Sequence, residues 1–255
     1  MRQWWRAHPG WALGVLGLAL TGLGEWAVTV LARNLPLLAS TEGAVVDEAL
    51  VVLLRLVVPV FAFVTLALVF ALTRFRAPAG EVEDAADQVD TDRRATLAWL
   101  GTTLGLATLV VIFPGVTGLR RLDRSSAAAA DPLQVDVLAR QWEWRFSYPA
   151  YGVRDATELV MPLGRPVRFT LRSQDVIHAF WIPSMRIKMD VIPGETRTLT
   201  LTPSTLTSTA QDPRTRVQCA ELCGVGHGQM AAPARVVQEA DFQGWAADQA
   251  RGGAQ

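Results

Sequence analysis

The chain has 255 residues, half of them hydrophobic, a mean hydropathy of +0.23, and 24 basic residues balanced by 24 acidic ones. This apolar excess favours a membrane protein over an ordinary soluble domain, and the balanced charge argues against a nucleic-acid partner. The excess lies almost wholly before residue 120, and residues 121–255 alternate polar and apolar side chains over a length sufficient for one domain with its own core.

The N-terminal segment, residues 1–39, has two interpretations. Its apolar stretch WALGVLGLALTGLGEWAVTVLA, residues 11–32, is either an extra membrane span or a signal peptide cleaved near LPLLAS. The stretch exceeds the usual apolar core of a signal peptide, which favours a span. Glu25 opposes a span, because a carboxylate is unfavourable in lipid. Both alternatives place residues 33–50 on the outer side of the membrane.

A transmembrane helical hairpin is predicted for residues 40–120. Residues 56–73 and 95–119 are uncharged runs long enough to cross a bilayer as helices, and Arg55 immediately precedes the first of them. The connecting loop, residues 74–94, is then inside and the rest of the chain outside. The sequence therefore predicts a multi-pass protein of a bacterial-type plasma membrane with its C-terminal domain on the outer, periplasmic face.

The outer half is predicted to be an all-β sandwich. Residues 121–132, including SSAAAAD, indicate a linker, and a C-terminal tail is expected at 241–255. Between them, in residues 133–240, runs such as LQVDVLA and PVRFTLR alternate with period two and are separated by Pro and Gly. The expected fold is thus a helical hairpin, with or without one extra N-terminal helix, followed by an all-β domain.

The segment VQCAELCGVGHGQM contains both cysteines of the chain, spaced as C-x3-C-x3-H-x2-M. Cys219 and Cys223 lie outside the cytosol in this topology, so a disulfide is one interpretation. A disulfide leaves His227 and Met230 unexplained, and it also ignores His178, which follows an apolar run upstream. The clustering of these side chains therefore favours a metal site.

Ligand chemistry decides which metal is favoured. Two thiolates and two imidazoles suit tetrahedral zinc, but Met230 has no role there. Thiolate, imidazole and a weak thioether form the ligand set of copper electron-transfer centres. A single copper needs only one cysteine, so the favoured interpretation is two coppers bridged by Cys219 and Cys223. Zinc, single copper and the disulfide remain alternatives.

Three motifs, DVIHAFWIPSMRIKMDVIPG, CAELCGVGHGQM and QWEWRF, resemble subunit II of cytochrome c oxidase, and the resemblance extends over roughly residues 40–240. It implies a cupredoxin-like Greek-key sandwich with a dinuclear copper A centre. The implied copper ligands are the backbone carbonyl of Glu221 and the side chains of His178, Cys219, Cys223, His227 and Met230. The resemblance further implies that the Glu221 carboxylate helps to hold a magnesium ion shared with the catalytic subunit.

Trp142 and Trp144, two positions apart in QWEWRF, are expected on one face of a strand. Ordinary core or interface packing explains such a pair without any further role. The resemblance instead implies that Trp142 is the surface entry point for electrons, whereas Trp144 is expected to pack.

The function that the resemblance implies is electron transfer within a haem-copper oxidase. The chain would accept electrons from cytochrome c and pass them to haem held only by the partner subunit I, where oxygen is reduced. Expected partners are that haem-bearing subunit, other oxidase subunits, cytochrome c and the lipid bilayer. Alternatives are the electron-entry subunit of a copper-containing nitric oxide reductase and a copper-binding assembly protein.

Two departures from the family pattern bear on this function. Thr96 stands where the family commonly has a glutamate at the mouth of a proton path, which places use of that path in doubt. Acidic residues for docking cytochrome c are also few between residues 140 and 175, so electrostatic steering of a strongly basic partner is expected to be weak.

Overall fold

The computed structural model describes residues 9–74, 92–128 and 130–252. It divides into a helical unit, within residues 1–35 and 48–118, and a β unit, within residues 36–47 and 119–255. Residues 75–91 of the predicted inner loop lie outside the described residues.

Among the described residues, three helical stretches are long and apolar enough to cross a membrane: Trp11–Arg33, Thr41–Arg74 and Arg93–Ala127. The helices are α1 (Pro9–Arg33), α2 (Thr41–Arg74), α3 (Arg93–Val110) and α4 (Thr117–Ala128). Most of the large apolar side chains on α1 to α3 are exposed, which suits helices whose solvent is lipid. The N-terminal segment thus contains a helix of spanning length, and its retention in the mature chain stays a prediction.

Glu25, whose carboxylate argued against a membrane span, has a partner in the helical unit. Its Oε2 lies 3.9 Å from Nε of Arg55 on α2. Close packing accompanies the pair, since a Cβ added to Gly24 would lie 2.6 Å from Cγ1 of Val58. Because an opposite charge reduces the cost of an acidic side chain in lipid, Glu25 is compatible with a spanning α1.

The second predicted span, residues 95–119, is interrupted. A π-type stretch, Val111–Val116, joins α3 to α4, and within it Phe113 has a non-helical backbone with φ −137° and ψ 119°. Pro114 follows, and proline lacks the N–H that a continuous helix requires. Beyond this interruption α4 continues to Ala128, so most of the predicted linker at 121–132 is helical.

The β unit is the expected all-β sandwich. Its strands are β1 (Leu133–Arg140), β2 (Glu143–Tyr148), β3 (Val153–Ala156), β4 (Leu159–Pro162), β5 (Val167–Ser173), β6 (His178–Ile182), β7 (Ile187–Val191), β8 (Arg197–Leu201), β9 (Thr207–Ser208), β10 (Val217–Cys219), β11 (Ala231–Ala232) and β12 (Ala234–Val237). Within residues 130–252 they form sheets of order β3-β2-β1-β5-β8, β11-β10-β6-β7 and β4-β12-β9. The parallel pair β1 and β5 shows that the chain crosses between sheets rather than meandering.

The core of the β unit follows the alternation seen in the sequence. On β1, buried residues alternate with more exposed ones, as a strand with one face on a core requires. Tyr148 is fully buried; its hydroxyl donates to the Val160 carbonyl and accepts from the Val160 N–H, each at 2.9 Å. Burial raises the pKa of this phenol. Its polar end is therefore satisfied inside the core.

The predicted C-terminal tail, residues 241–255, is mostly a helix, α5 (Glu239–Gly252). Phe242 and Ala246, four positions apart on its inner face, are fully buried in the core. The ring of Trp245 stacks edge-on against Tyr148 with centroids 5.0 Å apart. The β unit therefore needs residues beyond 240 to close its core.

The segment that leads into α2, together with the first turns of that helix, also belongs to the β unit, and we call residues 36–47 the N-terminal strap. Ala39 is fully buried, and its N–H donates to the Ser184 carbonyl at 2.7 Å. Nε of Arg186 donates to Oδ1 of Asp47 at 2.7 Å. The strap is thus bound by both backbone hydrogen bonds and an ion pair.

Candidate metal centre

Two of the candidate ligands lie at the ends of neighbouring strands. His178 is the first residue of β6, and Cys219 is the last residue of β10. The strands are antiparallel, with Cys219 opposite Phe180, and the Ala220 N–H extends the pairing by donating to the Ala179 carbonyl at 3.1 Å. The backbone of the sheet therefore places this imidazole and this thiol together.

The other candidates belong to the segment between β10 and β11, residues 220–230, which we call the ligand loop. Gly224 turns the chain with φ +109°, a conformation that favours glycine. A single 3-10 turn, His227–Gln229, follows. The loop closes where the Cys219 N–H donates to the Met230 carbonyl at 3.0 Å, which brings the thioether back to the cysteines.

The donor atoms converge in a chain of close contacts. The two cysteine Sγ atoms are 3.8 Å apart; Nδ1 of His178 lies 3.8 Å from Sγ of Cys219, and Nδ1 of His227 lies 3.6 Å from Sγ of Cys223. Sδ of Met230 is 3.7 Å from the Cys223 sulfur. Each thiol is thus paired with its own imidazole, and the thioether lies beside them.

The backbone carbonyl of Glu221 joins this group, with its oxygen 3.2 Å from Sγ of Cys219. The side chain of the same residue is exposed. The two parts of Glu221 thus face different surroundings, which the two separate roles implied by the family resemblance require.

These contacts fit a bound metal and not a disulfide. Both cysteines are free, and 3.8 Å far exceeds the roughly 2.05 Å of an S–S bond. If a metal were bound to both sulfurs at about 2.3 Å, the angle between the two metal–sulfur bonds would be about 110°, close to tetrahedral. Thiolate, imidazole and a weak thioether together are the ligand set of copper electron-transfer centres. The donor set therefore supports copper.

The Cys223 thiol is held in its neutral form. Burial, together with the hydrogen bond and charge of Cys219, raises the pKa of Cys223 to about 11. Metals bind the thiolate, so loading must displace this proton.

Asp175 is a site residue that sequence reasoning missed. Its Oδ1 lies 2.8 Å from Nε2 of His178, the ring nitrogen facing away from the cysteines. Burial opposes its ionisation, but hydrogen bonds from the Gln141 N–H and the His178 ring outweigh it and hold the pKa of Asp175 below its usual range. A carboxylate on the outer nitrogen fixes the ring of a ligating histidine. The spacing D-x2-H in DVIH was the available signal.

The sequence predicted that the two tryptophans share one face of a strand, and this prediction is wrong. Trp142 lies in the turn between β1 and β2 and is 40% exposed, whereas Trp144 is within β2 and 2% exposed. Trp144 packs edge-on against His178, with centroids 6.1 Å apart. Nε1 of Trp142 donates to the Cys223 carbonyl at 3.0 Å. The exposed indole thus contacts a candidate ligand residue directly.

Candidate membrane spans followed by a β-sandwich, with thiol, imidazole and thioether groups gathered at one site, define a membrane protein with a candidate metal centre in its β domain. Residues 153–238 match the family model described as cytochrome c oxidase subunit II, periplasmic domain. The match includes every candidate copper ligand and excludes Trp142. Over these residues the chain is similar to the cytochrome c oxidase subunit II family.

Individual relatives show the same similarity. Cytochrome c oxidase subunit 2 of Synechocystis sp. is 42% identical over 123 residues, 48% of this chain and 35% of that protein. The Bacillus subtilis subunit 2 is 29% identical over 87% of this chain and 67% of its own length. The alternative subunit 2 of Bradyrhizobium diazoefficiens is 28% identical over 72% and 74%. The chain thus spans from about a third to about three quarters of these proteins.

Among solved structures, the periplasmic domain of subunit II of cytochrome oxidase of Bradyrhizobium japonicum is 27% identical. It matches 48% of this chain and 96% of that domain with a TM-score of 0.43.

Proposed function

We propose that this chain is the electron-entry subunit of a membrane haem-copper oxidase. It would take electrons singly from a cytochrome c on the outer face of the membrane and pass them to haem in a partner subunit, which reduces oxygen. The observation that supports this best is the pair of free thiols 3.8 Å apart, each beside its own imidazole.

Two copper ions are proposed for this site, held by His178, Cys219, the Glu221 carbonyl, Cys223, His227 and Met230. When bound, a copper pair bridged by thiolates would supply a one-electron relay, because one electron shared between two metals reorganises its surroundings little. The protein's own part is to keep the donors close together before the metal arrives. His178, Cys219, Cys223 and Met230 are all buried, which excludes water from most of the site.

Trp142 is the proposed entry residue. Its exposed ring can meet an outside donor, and its hydrogen bond to the Cys223 carbonyl provides a contact to the metal-binding segment. The net charge of the neighbouring ion pairs is small, since Glu143 pairs with both Arg140 and Arg145 and leaves one net positive charge. Donor binding should therefore respond only weakly to salt.

The exposed Glu221 carboxylate is the proposed ligand for a magnesium ion shared with the haem-bearing subunit. Hard cations prefer carboxylate oxygens, and an exposed one is free to meet a partner's ligands.

Metal loading of the full chain in detergent tests the proposed site. We expect two coppers per chain and an electron paramagnetic resonance spectrum in which one unpaired electron couples to two copper nuclei, because two bridging thiolates join the ions. One copper per chain, or preferential binding of colourless zinc, would contradict it.

Electron entry is tested by Trp142→Phe, with Trp144→Phe as the matched control. Trp142→Phe should sharply slow reduction of the copper site by reduced cytochrome c while leaving its spectrum unchanged, since Trp142 faces solvent beside the ligand loop. Trp144→Phe should instead reduce stability by about 1 kcal/mol, because Trp144 is core. Stopped-flow reduction at several ionic strengths measures the rate in both variants. A normal rate in Trp142→Phe with a slowed rate in Trp144→Phe would assign electron entry to Trp144.

A further inference from the structure

The ring of Trp142 lies against the backbone of the ligand loop at Gly226. A Cβ added there would lie 2.4 Å from Cδ2, 2.6 Å from Cγ and 2.8 Å from Cε3 of the indole. Carbon atoms in ordinary contact are about 3.5–4.0 Å apart. The ring can therefore lie face-down at this point because residue 226 has no side chain.

The backbone conformation of Gly226 does not itself require glycine. Its φ of −91° and ψ of 7° are accessible to other residues. Contact with the indole is thus the feature that opposes a larger residue, in contrast to Gly224, where the positive φ already does so.

A second constraint acts at the polar edge of the same ring. The Cys223 carbonyl accepts from Nε1 of Trp142 at 3.0 Å and also from Nε2 of Gln141 at 2.9 Å. The N–H of Gln141 in turn donates to Oδ2 of Asp175, the residue that orients His178. The turn that presents the indole is therefore bound to both sides of the metal site.

We propose that Gly226 and Gln141 are positioning residues for electron entry: the glycine allows the indole to lie flat on the ligand loop, and the glutamine holds the turn so that the indole N–H reaches the Cys223 carbonyl. This inference rests on the proposed entry role of Trp142. Neither residue would bind the metal or the donor; both act by keeping the exposed ring in contact with a ligand-bearing segment.

Gly226→Ala tests this directly, and Gly228→Ala is the matched control. The two glycines flank His227, but a Cβ at Gly228 meets nothing within 4 Å. At Gly226 the indole must move by about 1 Å to restore ordinary contact. Gln141→Leu removes the second donor while preserving approximate side-chain size, so its effect should have the same direction and be smaller.

The first measurement needs no metal. In the full chain labelled with 15N-tryptophan in detergent, the Trp142 indole N–H signal is identified by its loss in Trp142→Phe. We expect its exchange with solvent to be about tenfold faster in Gly226→Ala, because the hydrogen bond to Cys223 opens more often, and unchanged in Gly228→Ala. Unchanged exchange in Gly226→Ala would overturn the inference.

The second measurement compares two reductants of the copper-loaded chain. Reduction by cytochrome c should be about tenfold slower in Gly226→Ala, since a displacement of about 1 Å can reduce a rate by up to about a hundredfold. Reduction by a small-molecule reductant should match the parent. Equal slowing by both reductants would show damage to the site itself and overturn the inference. If cytochrome c reduces Trp142→Phe at the normal rate, the proposed entry role of Trp142 is wrong. The exchange measurement still tests whether Gly226 and Gln141 position the indole, because it does not depend on electron transfer.

Discussion

The two halves of the metal centre are built differently. The strand half, His178 and Cys219, lies on adjacent strands whose backbones are already paired. The loop half, Cys223, His227 and Met230, lies on a loop with one short 3-10 turn, bound to the rest by the Cys219–Met230 backbone hydrogen bond and by the donors to the Cys223 carbonyl. The sheet positions one half before any metal is present.

This difference also appears around the two imidazoles. His178 is fully buried and bonded to Asp175, whereas His227 is partly exposed. Among residues 9–74, 92–128 and 130–252, no carboxylate pairs with His227 as Asp175 does with His178. The donors of the strand half are therefore held in place by the protein itself. The donors of the loop half depend more on the metal and on the Trp142 turn for their positions.

The largest expected effect is one in which the halves behave alike. Cys219→Ser and Cys223→Ser should each abolish the two-copper spectrum, because each thiolate would bind both of the proposed ions and a hydroxyl is a poor ligand for copper. Electron paramagnetic resonance of the loaded full chain measures this. A surviving two-copper spectrum in either variant would show that the substituted thiol does not bridge the ions. The strand half and the loop half would then differ in a property that we expect them to share.

Much of this site was predictable because the ligand types lie in a recognisable spacing. The C-x3-C-x3-H-x2-M pattern and the upstream His178 identify the donors, each of which the fold brings within 3.6–3.8 Å of a cysteine sulfur. The alternation of apolar residues likewise predicted the sandwich, because a strand with one buried face requires it.

Other features depend on contacts that periodicity does not encode. Trp142 and Trp144 differ in burial because β2 begins at Glu143, which lies between them. The ends of a strand are the feature that a sequence pattern predicts least reliably. The C-terminal helix has only two buried positions, too few for a clear amphipathic signal. Asp175 and the N-terminal strap act through tertiary hydrogen bonds, which short-range patterns do not show.

A smaller effect should distinguish the halves. Asp175→Asn removes the charge opposite His178, and loss of such a partner typically weakens metal binding by about tenfold to a hundredfold. The matched control is Asp190→Asn, on β7 opposite Ala179, which makes the same charge change beside the same strand. Competition with a copper chelator measures the affinity of both. Equal weakening in the two variants would show that net charge matters rather than orientation of His178.

The smallest effect on metal binding is expected from the loop half, at Met230. Met230→Leu nearly conserves volume, so the buried position should lose less than about 1.5 kcal/mol of stability. Copper should remain at two ions per chain, because a thioether is a weak axial ligand, while the reduction potential should shift. Met161→Leu, at an equally buried methionine on β4, is the control for packing alone and should leave the potential unchanged. Redox titration followed by the copper spectrum gives both values. If Met230→Leu loses copper as completely as Cys223→Ser does, the thioether is holding the loop half together rather than tuning it, and that half depends on its metal still more than the structure suggests.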